Sequence, residues 1–258
     1  MPPILFEVKD SVAIITLNRP EKFNAFNREM ALLLQQKLDE CKEDDAIRCL
    51  YITGAGKAFS AGQDITEITG ENSLGMNHIL SEHYNPIVSR ITHLEKPVVA
   101  AVNGVAAGAG ANIALCCDVV VASTAASFVQ AFSKIGLIPD SGGTFFLPRL
   151  IGWQKASALM MLGEKVDAVA AEQMGMIYRY FDEAVFEQEA MKIARTLAQM
   201  PTVALAYTKT ALHWAFAHTL HEQLMNEDKL QQRAAQTEDF KEGIQAFLEK
   251  RKPNFKGR

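Results

Sequence analysis

The chain has 258 residues, 48% of them hydrophobic and 22% charged, with a formal net charge of −4. That length and composition suit one large α/β domain with a sizeable core, and exclude a disordered chain. The acidic balance argues against nucleic acid or an anionic membrane as partner, since both call for basic patches. Cys41, Cys49, Cys116 and Cys117 lack zinc-type pairing and read as buried, reduced thiols of a cytoplasmic protein. The first residues show no basic-then-apolar signal pattern. No apolar run approaches the ~20 residues of a membrane span, so none is expected.

Residues 4–8 and 12–17 read as two strands joined by a tight turn at Lys9-Asp10-Ser11. Asn27 looks like a helix N-cap. Met30, Leu33, Leu34, Leu38 and Cys41 follow at helical spacing as a buried stripe. A strand over 48–53 leads into a Gly/Ala/Ser-rich loop. The polar span 71–76, with Asn72, Ser73 and Gly75, reads as a mobile loop, and 76–94 as helical. Pro97 starts a buried strand, VVAAV, followed by a glycine-rich turn and a helix. Another strand covers 118–122, and a helix is expected over 140–150. Asp167 is a plausible cap for a helix over 168–174 that Gly175 would end, and Ile177–Phe181 reads as a strand. From 183 onward the pattern is helical, broken at Pro201 and around Thr237. Strands alternating with helices before a helical tail describe an α/β core with an α-helical C-terminal region.

Gly104-x-x-x-Gly108-x-Gly110 is a turn that lets a ligand approach the backbone and aims helix N–H groups at an anion. Short-chain dehydrogenases carry similar spacing, but after their first strand and with a Tyr-x-x-x-Lys that is missing here. No GK[ST] follows the glycines, which excludes a P-loop, and no Gly-x-Ser-x-Gly elbow marks a serine hydrolase. His218 and His221 have no third ligand in view and read as surface histidines, so no metal site is expected.

Four segments in order resemble the crotonase (enoyl-CoA hydratase/isomerase) superfamily. They are Asn18-Arg19-Pro20-Glu21 with Asn24-Ala25, the run from Gly56 to Ile65, the stretch from Lys96-Pro97 through the glycine turn to Cys117-Asp118 and on to Gly136–Thr144, and Ala246–Arg251. Within the family, VNGVAAGAGA and LIPD look most like the branch of phenylacetate catabolism that isomerises ring-1,2-epoxyphenylacetyl-CoA to its oxepin form. The resemblance implies an α/β fold of crotonase (ClpP-like) type, a spiral of β-β-α repeats. It further implies a core over 1–195, a helical trimerisation region over 196–258, and assembly as a homotrimer or a dimer of trimers.

By the same resemblance the thioester oxygen is held by the backbone N–H groups of Ala61 and Ala109, and Asp140 is the acid/base group. Family hydratases use two glutamates where this chain has Asn112 and Phe132, so ordinary hydration is expected to be weak and isomerisation favoured. One carboxylate that takes a proton from one carbon and returns it to another is what isomerisation needs. Coenzyme A, as part of the substrate, falls on Lys22, Phe23, Ala25, Ala61, Gly62, Gln63, Asp64 and Ile65. Gly108, Asn112 and Phe132 stand near the acyl group, and Phe247 and Lys250 close over the nucleotide, from the same or a neighbouring subunit. Aromatic candidates for the acyl pocket are Tyr84, Phe128 and Phe132, whereas Phe145 and Phe146 read as core. No metal or redox cofactor is required. Rival readings are a hydratase, another crotonase-fold reaction such as thioester hydrolysis or dehalogenation, and the family's AU-rich RNA-binding branch, which the lack of a lysine-rich helix disfavours.

Overall fold

The computed structural model describes residues 1–69 and 75–258. Most of the loop expected over 71–76 therefore lies outside the described residues. The chain opens with the expected hairpin, β1 (Ile4–Lys9) and β2 (Val12–Leu17), with Asp10 and Ser11 at φ 53° and 59°. That left-handed pair matches the right-handed twist of the flanking strands.

Beyond it, successive strands alternate between two sheets. β3 (Cys49–Gly54), β5 (Val98–Val102), β7 (Val119–Ser123) and β10 (Arg179–Phe181) extend the first, in the order β1-β2-β3-β5-β7-β10. β4 (Ala58–Ser60), β6 (Val105–Ala107), β8 (Ser127–Val129) and β9 (Lys165–Asp167) make the second, in that order. Through β8 each turn of the chain thus lays one strand on the large sheet and one on the small, parallel to those of the turn before, whereas β9 follows β8 in the small sheet and pairs with it antiparallel. This is the crotonase spiral.

The helices are α1 (Arg28–Glu43), α2 (Met76–His78), α3 (Asn85–His93), α4 (Ala109–Leu115), α5 (Gly143–Ile151), α6 (Trp153–Leu162), α7 (Ala168–Gln173), α8 (Glu183–Gln199), α9 (Thr202–Ala215), α10 (Leu220–Ala234) and α11 (Glu238–Leu248). A π-helical turn, Ile79–Tyr84, joins α2 to α3. Asn27 caps α1 by accepting from the Met30 N–H, and Asp167 caps α7 through the Ala170 N–H. The short strands β6 and β8 and a 3-10 turn over Ala131–Ile135 were not expected. The helix expected from 140 begins at Gly143 instead, because Ser141 and Gly142 adopt left-handed backbone. A further break after Phe216 separates α9 from α10, where Thr219 and Glu222 form a reciprocal capping box.

The continuous apolar runs of β3 and β5 reflect burial on both faces. Leu50, Ile52, Val98, Ala100 and Val102 point into the main core, which also holds Phe26, Leu34 and Phe59. Their alternates, Tyr51, Val99 and Ala101, meet α8 through Phe186, Ala190, Ala194 and Ala198. Small residues every fourth position let α8 lie close on the sheet. A division at 195 falls within this helix, which ends at Gln199. All four cysteines are buried and free. Among the described residues, no helix is long and apolar enough to cross a membrane.

Candidate active site

β4 and β6 are neighbours in the small sheet, so the loops that leave them run side by side. Gly62, at φ +87°, makes this approach feasible, since a Cβ there would stand 2.8 Å from the Ala107 carbonyl oxygen and 3.3 Å from the Ala109 nitrogen. The Ala61 N–H is already engaged, donating to the Phe23 carbonyl at 2.9 Å. This overturns its assignment as an oxyanion donor. The Gly62 carbonyl accepts from Phe26 N–H at 2.7 Å, and Asp64 N–H donates to Phe26 at 2.8 Å. Between them the Gln63 N–H has no partner among the described residues, and the trans peptide turns it away from the bonded Gly62 carbonyl.

A second free amide opens α4. Gly108 (φ 52°, ψ −127°) precedes α4 and donates its own N–H to Val129 at 2.9 Å. Ala109 is the first helical residue, whose N–H has no intrahelical acceptor. Two neighbouring unpaired amides, Gln63 and Ala109, can hold an oxyanion. The Phe132 ring lies against Gly108, its Cζ 3.6 Å from where a Cβ would stand, and Phe132 itself is buried.

Asp140 sits in the loop before α5, tied down by its own backbone. Its carbonyl accepts from the Asn112 Nδ2 at 2.8 Å and from the Gly143 N–H at 2.8 Å. Asn112 is buried, and its Oδ1 in turn accepts from Gln130 Nε2 at 2.8 Å. Where a hydratase would carry a glutamate, this chain has an amide that orients the loop. Gly143 must lack a side chain, since a Cβ would collide with the Asn112 carboxamide. The Asp140 carboxyl accepts from the Ser141 hydroxyl at 2.8 Å. Burial raises its pKa above the ordinary carboxylate value, and the Ser141 bond offsets only part of that. The Asp140 charge reaches the buried Tyr84 hydroxyl, which donates to the Gln63 Oε1 at 2.8 Å.

The nucleotide-side residues divide. Phe23, Ile65 and Ala61 are exposed beside the same loop, and Lys22 is exposed at the end of the turn before Phe23. Ala25 and Asp64 are buried. The Asp64 carboxylate pairs with Arg19 at 2.9 Å and accepts from the Thr66 hydroxyl at 2.7 Å. Its side chain therefore braces the loop and is corrected from nucleotide contact to structural support. Phe128 belongs to the main core. Phe145 is half exposed, not core as expected, and packs edge-on against Phe146 and Phe216 with Arg149 over its ring.

Phe247 is 81% exposed on α11 and takes no part in holding the two loops. The tail after α11 folds back, its Lys256 and Gly257 N–H groups donating to Asp239. It is anchored by Arg48, which donates to the Phe255 carbonyl at 2.8 Å. Arg48 precedes β3, whereas the two amides lie beyond its far end. The structure thus gathers Gly62, Gln63, Gly108, Ala109, Asn112, Phe132 and Asp140, but leaves Phe247 and Lys250 apart from them. The part played by the Gln63 amide had no local signal, since it depends on which neighbouring amides Phe23 and Phe26 engage.

The enoyl-CoA hydratase/isomerase family model matches residues 7–258. The chain is 45% identical to the 1,2-epoxyphenylacetyl-CoA isomerase of Escherichia coli, over 99% of this chain and 98% of that one. It is 43% identical to a probable enoyl-CoA hydratase of Rhodobacter capsulatus, over 99% and 98%. A crystal structure of an enoyl-CoA hydratase/isomerase from Mycobacterium abscessus superposes with a TM-score of 0.93 at 36% identity, over 99% of this chain and 100% of that one. With the alternating two-sheet spiral and the paired loops already in place, the chain belongs to the enoyl-CoA hydratase/isomerase family of the crotonase superfamily.

Proposed function

We propose that this enzyme is an acyl-CoA isomerase in which Asp140 carries a proton between acyl carbons. The reading rests on one observation above all. The loop that carries Asp140 is tied through its backbone to Asn112, one helical turn from the Ala109 amide, while the two positions that serve water activation in hydratases hold that buried amide, Asn112, and an aromatic ring, Phe132. The thioester carbonyl is held by the two amides, which stabilise the enolate oxygen as the α-proton leaves. Ionised Asp140 accepts that proton and returns it to the γ-carbon. The net change is a double-bond shift from the 3 to the 2 position, with no water added and no redox change.

The similarity to the Escherichia coli epoxide isomerase supports ring-1,2-epoxyphenylacetyl-CoA as substrate, with the oxepin form as product and the thioester bond kept intact. Phe132 supplies an aromatic wall for such a ring, while Tyr84, 1% exposed, stands behind the Gln63 segment. Coenzyme A lies along Lys22, Phe23, Ala61 and Ile65. The enzyme works as a homotrimer or a dimer of trimers, with Phe247 and Lys250 reaching a neighbouring copy. Apolar side chains left exposed on α9 to α11, among them Leu212, Leu220, Ile244 and Phe247, support such an assembly.

The test is to assay wild type and Asp140→Asn with 3-enoyl-CoA, epoxyphenylacetyl-CoA and crotonyl-CoA. We expect wild type to isomerise the first two. The variant should lose at least ~10²-fold, the low end for a positioned general base. Hydration of crotonyl-CoA as the dominant activity would restore the hydratase reading that the Rhodobacter relative's description carries. Unchanged isomerisation in Asp140→Asn would remove Asp140 from its role.

A further inference from the structure

Gln63 differs from the rest of the cradle in carrying a side chain whose hydrogen bonds run away from it in a chain. Its Nε2 donates to Glu67 Oε2 at 3.2 Å and to the Asp64 carbonyl at 3.1 Å. Glu67 is held from its other oxygen by the Arg28 N–H at 2.8 Å, at the start of α1. With Nε2 facing two acceptors, the carboxamide orientation is fixed, and Oε1 must be an acceptor. Tyr84 O–H is therefore the donor in the 2.8 Å bond to Gln63 Oε1.

Tyr84 is 1% exposed and packs edge-on against Phe26 with ring centroids 5.9 Å apart. Phe26 is the residue whose backbone grips both neighbours of the Gln63 amide. Tyr84 also closes the π-helical turn Ile79–Tyr84, a wide turn that occurs frequently at functional sites. One ring thus braces the Gln63 segment twice, through its hydroxyl to the side chain and through its edge to Phe26. The segment needs bracing because Gly62, at φ +87°, supplies no side chain of its own.

We propose that Tyr84 is a positioning residue for the oxyanion cradle: through the Tyr84–Gln63–Glu67 hydrogen-bond chain it fixes the orientation of the Gln63 backbone N–H. This rests on the cradle in the reading above but not on the choice between isomerisation and hydration, because both use an enolate oxygen. Tyr84 acts on the transition state through Gln63 and does not touch the reacting atoms. A small misplacement of a preorganised donor costs rate while ground-state binding changes little.

The experiment is a double-mutant cycle with Tyr84→Phe and Gln63→Leu, read as kcat and KM on whichever enoyl-CoA the wild type turns over, isomerised or hydrated. Phenylalanine keeps the ring and its contact with Phe26, and leucine keeps the amide N–H. We expect each single variant to lose about tenfold or more in kcat with KM within about twofold. The double variant should be no slower than the worse single, because both remove the same bond. Losses that multiply, a loss confined to KM, or no loss would overturn the proposal. Thermal unfolding of each variant separates collapse of the fold from this effect. Turnover of neither substrate class by wild type would overturn this proposal together with the reading it rests on, whereas normal turnover with an unaffected Tyr84→Phe would overturn this one alone.

Discussion

At the scale of single residues, Asp140 owes its proton affinity to burial, and burial has a sign that can be measured. Its folded-state pKa lies above the ordinary 3.8. The stability it contributes is fully present below that ordinary value and is lost as pH rises through the raised one. At neutral pH the ionised carboxylate is therefore a liability to the fold, in keeping with the proposed role in proton transfer. Asp140→Asn should consequently raise the Tm at pH 7, by on the order of 2–4 °C for each kcal/mol relieved, while abolishing isomerisation. The gain should vanish below about pH 4, where both side chains are neutral. Differential scanning calorimetry at the two pH values checks this, and a lowered Tm at pH 7 would contradict it. The same raised pKa places the acid limb of kcat/KM above the usual carboxylate range. The Ala109 amide allows a cleaner deletion. Proline is tolerated at the first helical position, and Gly108 at φ 52°, ψ −127° is the mirror image of the extended backbone that proline asks of its predecessor. Ala109→Pro should keep the fold and cost at least about 10²–10³-fold in kcat/KM, since it removes one oxyanion donor and sets the ring Cδ where that donor's hydrogen met the oxygen.

Whole elements are placed by a few buried polar contacts. Helix α9 is docked onto the large sheet by Lys209, whose Nζ donates to the Asp118 carboxylate at 2.9 Å and to the Ile91 carbonyl at 2.7 Å. Asp118 also accepts from the Val98 N–H at the start of β5. Removing the cation alone strands a buried carboxylate, so Lys209→Met should cost about 3–5 kcal/mol in urea unfolding. The double variant Lys209→Met with Asp118→Asn, which keeps an acceptor for Val98, should lose less than the single one. The sequence announced Asp118 only as part of a family segment, because a pair 91 positions apart has no local signature. Other elements were legible for a physical reason. The hairpin, α1 and α7 carry their own turn and cap residues, and α8 has a regular apolar stripe. β6 and β8, with three residues each, are too short to show alternation. The onset of α5 was misread because nothing local reveals that Ser141 takes left-handed backbone. The cradle followed the same rule. The Ala109 amide is free because a helix starts there, which the glycine turn signals. Gln63 is free because Phe23 engages Ala61, some 40 residues away in sequence, a pairing that only the fold decides.

For the whole molecule, the question is which copy closes the nucleotide end of the site. The residues of the proposed lid, Phe247 on the last turn of α11 and Lys250 just after it, precede the tail that is anchored beside Arg48, at the end of β3 away from the two amides. A lid of this kind serves its own protomer poorly and a neighbour well, and a closed ring of identical subunits repeats that contact at every interface. Mixing two crippled variants distinguishes these arrangements. Asp140→Asn keeps the lid but lacks the base. The pair Phe247→Ala and Lys250→Ala keeps the base but lacks the lid. If the lid is supplied by a neighbour, random co-assembly of equal amounts creates intact sites wherever a lid-deficient subunit adjoins a base-deficient one on the correct side. That is roughly a quarter of all sites in a ring. Isomerisation at sub-KM acyl-CoA should then rise above the average of the separate variants after they are unfolded and refolded together, and not after simple mixing of folded oligomers that do not exchange. If the lid closes over its own site, no combination yields an intact one, and activity stays at that average however the subunits are combined.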